Sequence, residues 1–598
     1  MTTPVVADAK FARQAWLRAL ERTAPIERDP ALTLPVLIGR LGERLGPAPA
    51  LESAEAGFSY AELAARCARY ARWGIGQGLQ PGDVVALVLP NCAEYLAVWL
   101  GLARLGVAVA LVNSQLTGES LAHCIRIVAP RRLIVGGSLC GALTAVLARL
   151  PAELPVWGLG AQPAGMASLD AALAGLEAAP VAAAEWALPT HDQTALYIYT
   201  SGTTGLPKAA KVSHYRLMQW SHWFAGMLDT SPADRMYDCL PLYHSVGGVV
   251  APCATLVGGG AVVIRPRFSA SDFWRDVTES RCTLFQYIGE LCRYLVNAPA
   301  HPAEVAHSLR LACGNGLRPE VWRAFQSRFR IPRILEYYAS TEGNFSLYNC
   351  EGEPGAIGRI PPFLASRQGV SLVRFDVERG EPLRDASGRC VACEADEVGE
   401  AIGLIPAGGA QRAGRFEGYA DRDATERKVL RDVFAPGDAW YRTGDLMRRD
   451  ARGFFYFVDR VGETFRWKGE NVSTAEVLSV LAAVPGVLEG VVYGVRVPGA
   501  DGRAGMAALV VSPDFRLQAF QQQLDDGLPH YARPLFLRIL PALPATGTFK
   551  PLRQELLATG FDPALTGDPL LFREPGGAGY VPLDTALYAR ISAGDIRL

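Results

Sequence analysis

The run Tyr199-Thr200-Ser201-Gly202-Thr203-Thr204-Gly205-Leu206-Pro207-Lys208 constrains this chain more than any other stretch. Thr200, Ser201, Thr203 and Thr204 supply hydroxyl donors, Gly202 and Gly205 remove side-chain bulk, and Lys208 adds a positive charge. Small residues let backbone N–H groups approach phosphate oxygens and a lysine neutralises them, so the composition suits a triphosphate. Residues 195–198, just before it, are apolar and read as a buried strand, which puts the phosphate grip at a strand end. A Walker A loop needs G-x-x-x-x-G-K-[ST]. Here the stretch from Gly202 to Gly205 is too short and Ala209 follows Lys208, so a P-loop NTPase is excluded. The plain alternative is a surface Gly/Ser/Thr turn; a proline and a lysine at fixed offsets behind a β-run argue against it.

A loop fed by a strand implies an α/β chain, and the rest of the pattern agrees. Residues 84–89 end at Pro90-Asn91, a helical stretch fills 93–105, and 107–112 reads as the next strand. The rhythm recurs at 133–135, 260–264 and 282–287, predicting parallel-rich sheets with helices on their faces. Ser59 with Glu62 three residues on forms a capping box at the start of a helix. Residues 8–27 alternate charged and apolar positions at helical spacing, predicting an amphipathic helix used at the periphery. A chain of 598 residues is too long for a single core. Past Asp459-Arg460 the pattern changes to short strands (490–497, 506–512) and helices (475–483, 515–528), as in a small α+β domain. The expected domains are therefore 1–460 and 461–598.

Several classes fall away on composition. Lys+Arg of 59 against Asp+Glu of 60 leaves a net charge of −1, which gives no basic footprint for nucleic acid. No run of about 18 uninterrupted apolar residues exists; the nearest, 84–112, is broken by Pro90, Asn91, Glu94 and Arg104. The first thirteen residues are polar and lack an apolar signal region, so the 12 cysteines are expected to be reduced and the protein cytoplasmic. The one C-x-x-C, Cys390 to Cys393, has neither further ligands nor a thioredoxin-like context nearby and reads as a loop.

The 199–208 run resembles the signature of the adenylate-forming superfamily, whose members activate a carboxylic acid as an acyl-AMP. The resemblance covers nearly the whole chain and implies a large N-terminal domain and a small mobile C-terminal one. Asp238-Cys239-Leu240-Pro241-Leu242-Tyr243-His244-Ser245 is similar to the acid-substrate wall, which assigns Tyr243 and His244 to the substrate. Cys313-Gly314-Asn315-Gly316-Leu317 resembles the turn on which adenine lies. In Tyr338-Ala339-Ser340-Thr341-Glu342 the resemblance implies an aromatic on adenine, a threonine on phosphate and a glutamate holding Mg²⁺; alanine stands at 339 where the family has glycine. Thr443-Gly444-Asp445 implies an aspartate on the ribose diol, and Arg460 a second ribose and phosphate contact. Glu463 falls at the hinge, and Pro544-Ala545-Thr546-Gly547-Thr548-Phe549-Lys550 resembles the motif ending in the mobile catalytic lysine, with Lys468 the competitor. Lys468, Gly469 and Glu470 would line the way in for coenzyme A.

Within the superfamily the resemblance is to the fatty acid transport protein and very-long-chain acyl-CoA synthetase group. It is carried by residues 238–244, 268–274, 286–295, 465–473 and 493–507. It implies ATP, Mg²⁺ and CoA as cofactor and co-substrates, and AMP-forming ligation of a long- or very-long-chain fatty acid. Bile-acid, sterol side-chain or carnitine-like acids are the alternative substrates, and uptake by trapping the acid as its CoA ester is an alternative role. The group's eukaryotic members carry an N-terminal membrane anchor that is missing here, which implies a soluble bacterial enzyme with at most peripheral contact at the inner face of the cell membrane. Preferred chain length and oligomeric state are not legible.

Overall fold

A computed structural model describes residues 9–54, 56–161, 163, 165–200, 206–365, 369–377, 379–407, 414–468, 470–498, 500, 502–545, 552–575, 579–596 and 598, the side chains of Ala9 and Asn471 excepted. The chain forms two compact units, one of residues 1–368 with 405–429, the other of 369–404 with 430–598. The expectation of an α/β chain with a large N-terminal part and a small C-terminal sheet domain holds.

The first unit holds two predominantly parallel sheets. In one, strands Arg132–Gly136, Val84–Val88, Ala108–Leu111 and Thr194–Thr200 lie side by side and parallel, and Lys208–Ser213 returns antiparallel to the last. Every residue of Val84–Val88 is buried, as expected of a strand covered on both faces. The crossover helix Ala93–Ala103 is apolar nearly all round because it too is enclosed. In the other sheet, Ala261–Ile264, Arg235–Asp238, Leu284–Ile288, Leu311–Asn315 and Ile334–Ala339 run parallel in that order, and Ser346–Asn349 pairs antiparallel with the last. The capping box forms as read. The Ser59 N–H donates to Glu62 Oε2 at 2.8 Å and the Glu62 N–H to Ser59 Oγ at 3.2 Å.

One expectation is corrected. The amphipathic helix Ala9–Thr23 is not peripheral: Phe11, Ala12, Ala15, Trp16 and Ala19 are buried against helix His214–Leu228. The Trp16 ring meets those of Trp223 and Tyr348 edge-on, each at 5.6 Å. Gly226 makes the crossing possible, since a Cβ there would sit 2.5 Å from the Ala19 backbone. Arg18 Nε and Arg22 Nη2 donate to the carbonyls of Gly226 and Thr230 at the end of the partner helix (3.1 and 2.9 Å).

In the second unit, Val487–Val495, Ala504–Val511, Phe536–Ile539, Leu570–Arg573 and Tyr580–Pro582 form one sheet, antiparallel except for the second and third strands. Helices Thr474–Ala482 and Leu517–Gly527 pack into its core through Val477, Leu481, Phe520 and Leu524. Strands Ala439–Arg449 and Phe454–Arg460 make a long antiparallel hairpin in the same unit. All 12 cysteines are free, and the C-x-x-C is a strand-side loop in which the Cys390 N–H donates to Val433 and the Cys393 N–H to Leu372.

Candidate active site

Strand Thr194–Thr200 arrives buried at the expected loop, and its antiparallel partner starts at Lys208, directly across from Thr200. Ser201, Gly202, Thr203, Thr204 and Gly205 lie outside the described residues. Residues 418–420 run alongside the returning strand: the Lys211 N–H donates to the Gly418 carbonyl (3.0 Å) and the Ala420 N–H to that of Ala209 (2.9 Å). This brings in Tyr419, a residue the sequence reading passed over. Lys208 Nζ stands 5.7 Å from the centre of its ring, and its hydroxyl donates to Glu342 Oε1 at 2.8 Å. Burial, then the neighbouring Glu342 carboxylate, raise the phenol above its usual range, so it stays protonated and keeps donating. Lys208, Tyr419 and buried Glu342 thus meet at one strand end.

Arg216 locks the arrangement from the first turn of helix His214–Leu228. Its two terminal nitrogens donate to the carbonyls of Thr341 (3.0 Å) and Arg415 (2.8 Å), and its Nε lies 3.5 Å from Glu417. Glu417 in turn accepts from the N–H and hydroxyl of Ser213, the residue capping that helix (2.8 and 2.6 Å). The Thr341 hydroxyl stands 3.1 Å from that of Ser245. Neither Arg216 nor Glu417 stands in a recognisable motif.

The expected adenine turn is built by close backbone approach. A Cβ on Gly314 would lie 2.3 Å from the Tyr287 carbonyl, and Gly316 adopts φ +79°, a left-handed conformation that favours glycine. Tyr338 ends one strand position short of Ala339, its ring 6.0 Å from that of Phe345. Ala339 sits in regular strand pairing with Ser346 and is absent from the positive-φ positions, so a methyl there forces no backbone change.

Tyr243 and His244 precede a π-helical turn, Val246–Val250. Gly247 and Gly248 let this turn press on the carbonyls of residues 240–242; a Cβ on Gly248 would be 1.9 Å from the Leu242 oxygen. Asn91 pins the same segment, accepting from the Leu242 N–H (2.9 Å) and donating to the carbonyls of Leu240 (2.8 Å) and Arg265 (3.1 Å). Burial pushes His244 down to about 4, so near neutral pH it is an uncharged imidazole, and burial pushes the Tyr243 phenol up to about 12.

In the second unit Asp445 and Arg460 face each other across the 439–460 hairpin, with Nε 3.4 Å from Oδ1. The neighbouring Asp459 accepts from the Thr474 N–H at 2.7 Å, and burial raises its carboxyl above the usual range. Glu463 pairs with Arg553 at 2.5 Å, next to Gly462 at φ +86°. Lys468 occupies an exposed hairpin position at φ +52°, its Nζ 5.9 Å from the centre of the Trp467 ring, and Glu470 starts the returning strand. Gly469 and Lys550 lie outside the described residues. No group of three or more His, Cys, Asp or Glu placed to hold a metal occurs among the described residues.

A strand-end lysine and a buried glutamate that both meet Tyr419, in a parallel α/β unit, together with a small sheet domain, suit the adenylate-forming class. Residues 42–388 match the family described as AMP-binding enzyme, and 476–550 the AMP-binding enzyme C-terminal domain. The chain belongs to the AMP-binding enzyme family and is an acyl-CoA synthetase-type member of it. It is 42% identical over 578 residues to long-chain fatty acid transport protein 1 of Mus musculus, spanning 95% of this chain and 88% of that one. With long-chain fatty acid transport protein 6 of the same organism it shares 41% over 526 residues, 87% of this chain and 84% of the relative. Among solved structures, ATP-bound MatB from Rhodopseudomonas palustris superposes with a TM-score of 0.73 at 26% identity, covering 88% and 99% of the two chains. An anthranilate CoA ligase in complex with anthranoyl-AMP gives 0.75 at 20% identity over 88% and 97%, a likeness of fold.

Proposed function

We propose that this chain joins a long- or very-long-chain fatty acid to CoA through an acyl-AMP, releasing pyrophosphate and then AMP. A carboxylate is a poor electrophile because its leaving group would be oxide. Its oxygen therefore attacks the α-phosphorus of ATP, the bond to pyrophosphate breaks, and a mixed anhydride forms. The CoA thiolate then adds to the acyl carbonyl and AMP leaves. The observation that carries this reading is the meeting of Lys208, Tyr419 and buried Glu342 at the end of strand Thr194–Thr200.

In this reading Lys208 and the hydroxyls of Thr200, Ser201, Thr203 and Thr204 hold the β- and γ-phosphates, and Gly202 and Gly205 let the backbone close on them. Gly314, Asn315, Gly316 and Tyr338 take adenine, Thr341 the α-phosphate, and Asp445 with Arg460 the ribose. Tyr243 and neutral His244 border the acid. Glu342 fits a hard cation: its carboxylate is buried and Tyr419 donates to one of its oxygens, Oε1. Mg²⁺ held there would offset the crowding of anionic oxygens around the reacting phosphorus. Residues 461–598 turn about the Glu463 region, bringing Lys550 to the α-phosphate for the first step and Lys468, Gly469 and Glu470 to CoA for the second. The reaction belongs in the cytoplasm, where ATP and CoA are, with peripheral contact at the inner membrane face for an acid arriving from lipid.

The fatty-acid assignment rests on relatives named long-chain fatty acid transport proteins. Each CH₂ taken from water adds about 0.8 kcal/mol. Pyrophosphate release across an acid panel should therefore rise several-fold per pair of carbons until the pocket ends, with acetate inactive. A profile flat in chain length, or one peaking on a ring-bearing acid such as cholate, overturns the fatty-acid assignment and leaves ligation standing. The same relatives' names favour a second role, uptake driven by trapping the acid as its CoA ester.

A further inference from the structure

Strand Ile334–Ala339 carries a carboxyl that the chemistry above leaves unused. Glu336 is buried in the sheet, and a tyrosine hydroxyl and backbone N–H groups converge on it. The Tyr287 hydroxyl donates to its Oε2 at 2.5 Å and the Leu317 N–H to its Oε1 at 3.0 Å; the Gly316 N–H is directed at the same carboxyl. Tyr287, Gly314 and Glu336 are lateral neighbours on three parallel strands, so one side chain spans the middle strand and grips the backbone just past the 314–316 turn. The turn has no slack against which to drift: a Cβ on Gly289 would lie 1.8 Å from the Gly316 carbonyl.

Among the described residues no cation pairs with this carboxyl. The titratable groups facing it are Tyr287 from strand Leu284–Ile288, Cys292 from helix Gly289–Asn297, Cys313 from strand Leu311–Asn315 and Tyr337 from its own strand. Burial raises all four well above their usual ranges, so all are neutral. Arg318, just beyond the turn, is engaged by Glu290 at 3.3 Å. Asn349, opposite Glu336 on the next strand, donates its amide to the carbonyls of Glu353 and Ala356. A carboxylate accepts from all three groups at once; a protonated carboxyl can give its hydrogen only to the Tyr287 oxygen, which turns that bond round and leaves the two backbone N–H groups on a weaker, uncharged acceptor. Burial opposes ionisation and pushes the group up to about 8.

We propose that Glu336 is the positioning residue of the adenine slot: its carboxylate holds the 314–317 turn in place, and ATP binding tightens as it ionises. This rests on the assignment of that turn to adenine. The test is the Michaelis constant for ATP, and for GTP as the mismatched base, between pH 6 and 9.5 in wild type and Glu336→Gln. In wild type the ATP constant should fall as pH rises through about 8. In Glu336→Gln it should be raised roughly tenfold at high pH, lose that inflection and show a reduced preference for ATP over GTP, with kcat within about twofold. Tyr287→Phe, which removes one donor and keeps the ring, should raise the constant by about threefold if Glu336→Gln proves too unstable to assay. A folded Glu336→Gln with an unchanged ATP constant and pH profile overturns the proposal, even if it melts earlier. Tyr338→Ala separates the two ideas: if it too leaves the ATP constant unchanged the adenine assignment fails, and if it alone raises the constant only the role of Glu336 fails.

Discussion

A single hydroxyl decides how the Glu342 carboxylate is presented. Tyr419 donates to one of its oxygens while its ring lies beside Lys208, so the phenol orients an anion and borders a cation at once. Hydrogen bonds to charged groups are worth about 1.5–3 kcal/mol. Tyr419→Phe keeps the ring and loses the bond. Acyl-AMP formation should fall by roughly tenfold to a hundredfold, and the Mg²⁺ concentration giving half-maximal pyrophosphate release should rise. An unchanged Mg²⁺ midpoint would mean that the tyrosine only packs. Lys208, Thr341 and Glu342 are candidates that the sequence already offers, because each sits at a fixed offset within a short motif. It does not offer Tyr419, Arg216 and Glu417, since their significance arises only when residues 415–420 come to lie along strand Lys208–Ser213.

At the scale of elements, the helix Ala9–Thr23 shows what periodicity conveys and what it omits. The 3.6-residue spacing reveals an apolar stripe, but nothing in the spacing says whether solvent, a membrane or another helix covers it. Here helix His214–Leu228 covers it, through a contact in which Gly226 meets the Ala19 backbone. Gly226→Val would place a side chain at 2.5 Å from that backbone and force the helices apart. Overpacking of this kind costs about 1–3 kcal/mol, so the urea midpoint should drop with an unchanged slope. A variant as stable as wild type would show that the crossing is not close-packed. The βα units were legible because buried parallel strands read as continuous apolar runs between turn residues. The π-helical turn at 246–250 was not. Its Gly-Gly step acquires meaning only from the carbonyls of 240–242 pressed against it.

Across the whole molecule, the proposed chemistry asks the same site to do two unlike things. Forming the acyl-AMP crowds carboxylate, α-phosphate and departing pyrophosphate oxygens together, and each added cation lowers that barrier. Transfer to CoA expels AMP from a carbonyl and builds no comparable charge at phosphorus. On the proposed mechanism a lysine carried on the C-terminal part serves the first step and is free to leave for the second, which gives a rotation its purpose. Loss of one group that stabilises transition-state charge typically costs about 10²–10³ in rate. Lys550→Ala should cut pyrophosphate release by at least that factor, while CoA ester formation from preformed acyl-AMP should proceed near the wild-type rate. If the two half-reactions fall together, Lys550 is not the mobile lysine. Lys468, exposed on its hairpin at φ +52°, then takes its place, and Lys468→Ala should reproduce the selective loss.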